Sequence, residues 1–166
     1  MGPSKLIFLI QAALIICLIY LAYVDWRSFR LPDLITLPLI ASGIGFNCFS
    51  ELRFTDPQSA VLGACLGYSF LWALNLAYRI FRGQSGIGMG DAKLLAGLGA
   101  WLGWASLPGI LLVASVTGLI GGVLWLKWQN QSHQHAFPFG PFLAIAGIIT
   151  LLWPQLIFPI LTVNSI

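Results

Sequence analysis

The chain has 166 residues, of which 58% are hydrophobic and only 8% charged, eight basic and five acidic, with a formal charge of +3 and a mean hydropathy of +0.90. Soluble domains carry roughly a quarter of their residues as Asp, Glu, Lys and Arg, so the bilayer is the expected solvent, and disorder and a disulfide scaffold are excluded. The bases are scattered between apolar runs and form no stripe to track phosphates, so no nucleic-acid partner is expected.

Cutting the chain at its charges and prolines leaves six apolar segments. The first, Leu6–Val24, is interrupted by Gln11 alone. Lys5 followed by such a run also fits a signal peptide, but it is long for one, no small-x-small site precedes Asp25, and further spans follow. The second, Leu34–Phe49, contains Pro38; the third is Ala60–Tyr78. The fourth, Ala92–Leu107, is short, rich in glycine and carries Lys93, which predicts a protein-facing helix. Gly109–Leu126 and Phe139–Trp153 follow, and the apolar tail Gln155–Val163 is expected to lie in the interface. The expected fold is therefore an all-α membrane protein of about six transmembrane helices, with residues 1–166 forming a single integral-membrane domain.

With an outside start and six crossings, Arg27, Arg30, Arg79, Arg82, Lys93 and Lys127 fall on the inner side and Lys5 and Arg53 outside. The positive-inside rule favours this orientation. Both termini are then non-cytoplasmic, and the loops 25–33, 79–91 and 127–138 face the cytoplasm. Gly63 with Gly67, Gly99 with Gly103 and Gly118 with Gly122 have G-x-x-x-G spacing, which lets helices pack closely, within one chain or between chains.

Cys17, Cys48 and Cys65 lie in apolar stretches and contain no C-x-x-C pair, and His133 and His135 alone do not make a metal site. No metal and no cofactor are expected.

The acids are the informative charges, because an ionisable group at a membrane boundary is costly unless paired, hydrated or used. Asp25 follows the first span, Asp33 precedes the second, and Asp91 enters the fourth in the string Gly88-Met-Gly90-Asp91-Ala-Lys93. All three fall on the same side. Two carboxyls close together in a partly dry site share a proton, leaving an acid beside a base, the arrangement of aspartic proteases. Gly88 and Gly90 add backbone freedom and room for a substrate backbone.

Structural roles compete with this reading. Asp33 and Asp91 both stand where an acid caps a helix, and Asp91 is also placed to pair with Lys93. Asp25 at a helix end opposes the dipole, and Arg27 or Arg30 is near enough in sequence to neutralise it.

The stretch Asp25-Trp-Arg-Ser-Phe-Arg-Leu-Pro-Asp33 through Pro38, then Gly88-Met-Gly-Asp91-Ala-Lys93, then Pro138-Phe-Gly140-Pro141 resembles the catalytic domain of the type IV prepilin leader peptidases. These are integral-membrane aspartic proteases of the G-x-G-D class. The resemblance runs from about Val24 to Leu152 with the motifs in order. It implies catalytic roles for Asp25 and Asp91, a supporting role for Asp33, tuning of the acid by Lys93, and a turn at Gly140 near the site.

The resemblance also implies a substrate, a prepilin or type II secretion pseudopilin. Its short basic leader precedes an apolar helix and is cut after a glycine at the cytoplasmic face of the bacterial inner membrane. Bifunctional members carry a cytoplasmic insertion with paired C-x-x-C ligands. Only Met1–Lys5 precede the first span here, so N-methyltransferase activity is not expected. The rival readings fit less well. A small transporter or proton relay calls for acids deep in the membrane, a non-enzymatic assembly subunit leaves G-x-G-D without a purpose, and presenilin-like proteases carry a Pro-Ala-Leu motif that is absent here.

Overall fold

The computed structural model describes residues 2–83, 88–129 and 138–153; the expected interfacial tail lies outside them, as do His133 and His135. Among the described residues there are six α-helices, one short 3-10 turn and no strand: α1 (Pro3–Ser28), α2 (Asp33–Phe49), α3 (Pro57–Arg82), α4 (Met89–Leu102), the turn Trp104–Ser106, α5 (Leu107–Gln129) and α6 (Gly140–Leu152).

Helices α1 and α3 and the stretch Trp104–Val123 are long and apolar enough to cross a bilayer, while α2 and α6 are shorter apolar helices. Large apolar side chains cover the outside, among them Phe8, Ile16, Phe49, Phe81 and Leu119. Water does not tolerate such a surface, whereas lipid favours it.

Helix α4 is the axis of the bundle. From Asp91 to Trp101 every residue except Lys93 is buried, which bears out its reading as protein-facing. Helices α2, α3 and α6 pack on it, and α6 also holds α1 and α5. Lipid offers no hydrophobic drive for helix association, so close approach of small residues carries the packing. A Cβ on Gly63 would collide with the backbone of Gly99, and one on Gly67 would stand 2.8 Å from the Leu95 carbonyl. These glycines therefore serve contacts within the chain. Gly99 and Gly103 divide their labour: Gly99 meets α3, while Gly103, at φ 84°, ends α4. Of the third spacing, Gly118 packs against Phe139 and Phe142; the closest approach of α5 to Phe142 is made by Gly121, which is outside that spacing.

Element ends depart from the hydropathy cuts for local reasons. Helix α1 continues past Asp25 to Ser28 and closes on Phe29, whose φ of 52° is left-handed and whose amide bonds the Asp25 carbonyl. A charge does not stop a helix; here the chain must turn before Pro32. Helix α3 begins at Pro57 because Asp56 caps it through the Ser59 amide, and it runs to Arg79 and Arg82, which suit its C-terminal dipole, before Gly83 at φ 70°. The fourth segment breaks at Gly103, and Pro108 sits in the first turn of α5, where its missing N–H costs nothing.

Candidate active site

The chain order of the helices places the ends of α1 and α3 and the starts of α2, α4 and α6 at one end of the bundle. Asp25 lies in the last turn of α1 and is 5% exposed; Asp91 lies in the first turn of α4 and is 8% exposed. The two carboxyls lie at the same end of the bundle. Buried acids in an apolar bundle are expensive, and these two are the only buried acids among the described residues.

Asp25 is oriented from α6. The Gly140 amide donates to Asp25 Oδ2 at 3.1 Å, so a carboxyl from α1 satisfies one of the free amides in the first turn of α6 and faces the positive end of that helix. Pro141, the next residue, has no amide to offer and suits the start of a helix. A Cβ on Gly140 would come 2.5 Å from that same oxygen. The need for glycine here is close approach, and the turn expected at this position is the first turn of α6.

The glycines of the G-x-G-D string also act through space. Gly88 caps α4 at φ −67° and ψ 133°, a conformation open to any residue, yet a Cβ there would stand 3.3 Å from Asp91 Oδ2. A Cβ on Gly90 would come 2.9 Å from Leu31 Cβ, in the link between α1 and α2. One glycine leaves room at the Asp91 carboxyl, and the other lets the α1–α2 link lie against α4.

Asp33 and Lys93 form a pair at 2.5 Å, with side-chain exposures of 60% and 22%. The lysine thus bridges to α2 and does not pair with Asp91, two residues before it on α4. Neither Asp33 nor Asp91 caps its helix through its side chain: the N-cap positions are Pro32 and Gly88. Arg27 stacks over Tyr23 at 5.4 Å from the ring centroid. Among the described residues no three His, Cys, Asp or Glu side chains group as a metal site.

A model of the type IV leader peptidase family matches residues 12–123, a range that contains Asp25, Asp33 and the whole G-x-G-D string. The chain belongs to the type IV leader peptidase family. It is similar to the prepilin leader peptidase/N-methyltransferase of Aeromonas hydrophila, 45% identical over 136 residues that make up 82% of this chain and 46% of that protein. The protein of the same name from Pseudomonas aeruginosa is 42% identical over 136 residues, 82% of this chain and 46% of its own. That of Burkholderia pseudomallei is 41% identical over 151 residues, 90% and 48% respectively. The chain spans about half the length of the curated relatives it matches. No solved structure matches it. Membership of this family together with the apolar helices makes this a multi-pass membrane protein.

Two further residues bear on the leader-peptidase fold around the site, and both are asparagines inside spans. Asn47 is fully buried: its Nδ2 donates to the carbonyls of Gly43, Ala100 and Trp101 at 3.1, 2.9 and 3.1 Å, and its Oδ1 accepts from Phe54 and Thr55 at 2.9 and 3.2 Å. It ties the end of α4 to α2 and to the 50–56 link. Asn75 of α3 reaches Met89 Sδ at 3.8 Å, beside the G-x-G-D string. A polar residue within an apolar span is the signal in the sequence that marks both.

Proposed function

We propose that this chain is a membrane-embedded aspartic endopeptidase that removes the short basic leader of a type IV prepilin or a type II secretion pseudopilin. The observation that carries the reading is the placement of two buried carboxyls, Asp25 in the last turn of α1 and Asp91 in the first turn of α4, at the same end of the bundle. Family membership supports the choice of substrate.

In the proposed reaction the pair shares one proton. The ionised carboxyl takes a proton from water as the water oxygen adds to the peptide carbonyl carbon, and the protonated one donates to the carbonyl oxygen. The tetrahedral adduct then collapses, the C–N bond breaks, and the leaving nitrogen gains the proton. The net change is one water added across one peptide bond, with no metal or cofactor. The Gly140 amide orients Asp25 throughout, while Asp33 and Lys93 hold α2 against α4 beside the acid. Because only the singly protonated pair is active, kcat should pass through a maximum with pH.

The proposed setting is the bacterial inner membrane, with the site facing the cytoplasm and both termini on the other side. Five bases, Arg27, Arg30, Arg79, Arg82 and Lys93, lie at the carboxyl end of the bundle, which supports that orientation. The test is leader removal from a co-expressed prepilin. Asp25→Asn and Asp91→Asn should each abolish processing while the protein still inserts, and full processing by both single variants overturns the reading.

A further inference from the structure

Helices α1 and α2 are joined by only four residues, 29–32, and helices so connected ordinarily pack on each other. Here they make little direct contact: α1 lies on α6, and α2 lies on α4 and α3. The splay leaves a groove of about 480 Å³ between them, open to the outside of the bundle. Leu14 and Cys17 line it from α1, Leu34, Pro38 and Ser42 from α2, and Trp101 from α4. Its lining is almost entirely apolar; the Trp101 Nε1 is already engaged by the Leu39 carbonyl at 2.9 Å.

Two features join the groove to the site. Leu34, 86% exposed, lines the groove immediately after Asp33, the one acid at the carboxyl end of the bundle whose side chain is largely exposed among the described residues. The link that joins the two groove-lining helices sets Leu31 against Gly90, the residue before Asp91. A carboxylate one residue from an apolar trough, at the same end of the bundle as the buried acids, matches in charge and polarity a chain that is basic at one end and then continues as an apolar helix.

We infer that this groove is the docking site for the apolar helix of the substrate, with a ridge of its side chains seated between α1 and α2 and its basic end beside Asp33. The inference rests on the leader-peptidase reading above and adds to it where the mature part of the substrate is held. The splayed hairpin supplies recognition without blocking the carboxyls, because the docked helix and the scissile bond occupy different parts of the same face. Lys93 occupies Asp33 when no substrate is present, and a base of the substrate competes for that carboxylate.

The experiment uses the full chain in proteoliposomes with two substrates: an intact type IV prepilin, and a short soluble peptide that spans the cleavage point and lacks the apolar helix. Ala13→Phe and Ser42→Phe fill the groove from its two sides; Leu119→Phe, on the exposed face of α5, is the control. Groove filling should raise KM for the prepilin about fivefold or more, leave kcat near wild type, and change peptide cleavage less than twofold.

A second measurement does not depend on the filled variants folding. Cys48 and Cys65 are replaced by Ser, leaving Cys17 in the groove, and the chain is oxidised with a prepilin carrying one cysteine in its apolar segment. A disulfide that depends on the position of that cysteine along the segment supports the inference. Unchanged prepilin KM together with no cross-link overturns it and leaves the groove to lipid acyl chains. Cross-linking of Cys17 to a second copy of this chain in place of the prepilin also overturns it. Failure of the unaltered chain to cleave either substrate is a failure of the underlying peptidase reading, and so is distinguishable.

Discussion

The amide of Gly140 and the carboxyl of Asp25, 115 positions apart, meet at 3.1 Å. This bond joins the last turn of α1 to the first turn of α6 and sets the direction in which Asp25 faces. The space for it exists because residue 140 has no Cβ.

Gly140→Ala should therefore act on chemistry more than on folding. Its Cβ would stand 2.5 Å from Oδ2, so the carboxyl must swing away or α6 must shift. The expected result is a loss in kcat of about a hundredfold, with expression and insertion near wild type. Retention of full activity would show that the orientation of Asp25 does not depend on this contact.

The Asp33–Lys93 pair crosses from α2 to α4 with the acid largely exposed, and exposed pairs contribute only about 0–1 kcal/mol to stability. Asp33→Asn and Lys93→Met should each leave partial activity and nearly unchanged thermal stability. Because the two residues act as a unit, the double variant should be no worse than the more impaired single variant. Complete loss of activity in a well-folded Asp33→Asn protein would place Asp33 in the chemistry itself.

Asn47 is the more consequential residue for stability. Asn47→Leu removes two N–H donors shared among three carbonyls and an oxygen that accepts from two amides, and strands the Phe54 and Thr55 amides and the carbonyls at the end of α4 in an apolar setting. A destabilisation of about 3 kcal/mol or more is expected, read as a fall in melting temperature in detergent. Asn47→Asp should not rescue it, since a carboxylate lacks the donors that those carbonyls require.

Asp56 gives a pH signature. The Ser59 amide it caps holds its carboxyl below the ordinary value of 3.8. A group with a lowered folded value contributes its stability in full above the unfolded value and loses it as pH falls through the folded one. Asp56→Ala should lower the melting temperature at neutral pH, and its gap from wild type should close as the medium is acidified through that range. Asp56→Ser, which caps without a charge, should show a smaller gap with little pH dependence.

The cores of the helices are legible in the sequence, because residence in lipid demands long apolar runs. Their ends are not. Hydropathy trimmed α3 to Ala60–Tyr78, whereas Asp56-Pro57 and Gly83 extend it to Pro57–Arg82, since caps and left-handed terminators are local backbone chemistry that an apolar count ignores. Asp33 and Lys93 both stand out in the sequence, but their pairing does not, because it exists only when α2 and α4 lie side by side. The glycines of the G-x-G-D string were expected to supply backbone freedom, yet Gly88 has an ordinary conformation and what it supplies is room at Asp91.

By itself, then, the sequence determined the solvent, the helical class and the small set of acids worth following, because with thirteen charges in 166 residues each one at a membrane boundary needs a reason. The tertiary structure alone decided which groups meet: Asp25 with the start of α6, Lys93 with Asp33, Asn47 with the end of α4, and an open groove where α1 and α2 part. Those relationships depend on which helix each helix packs against. In lipid that choice is made by the shape of glycine-lined surfaces, which a linear pattern of polarity does not encode.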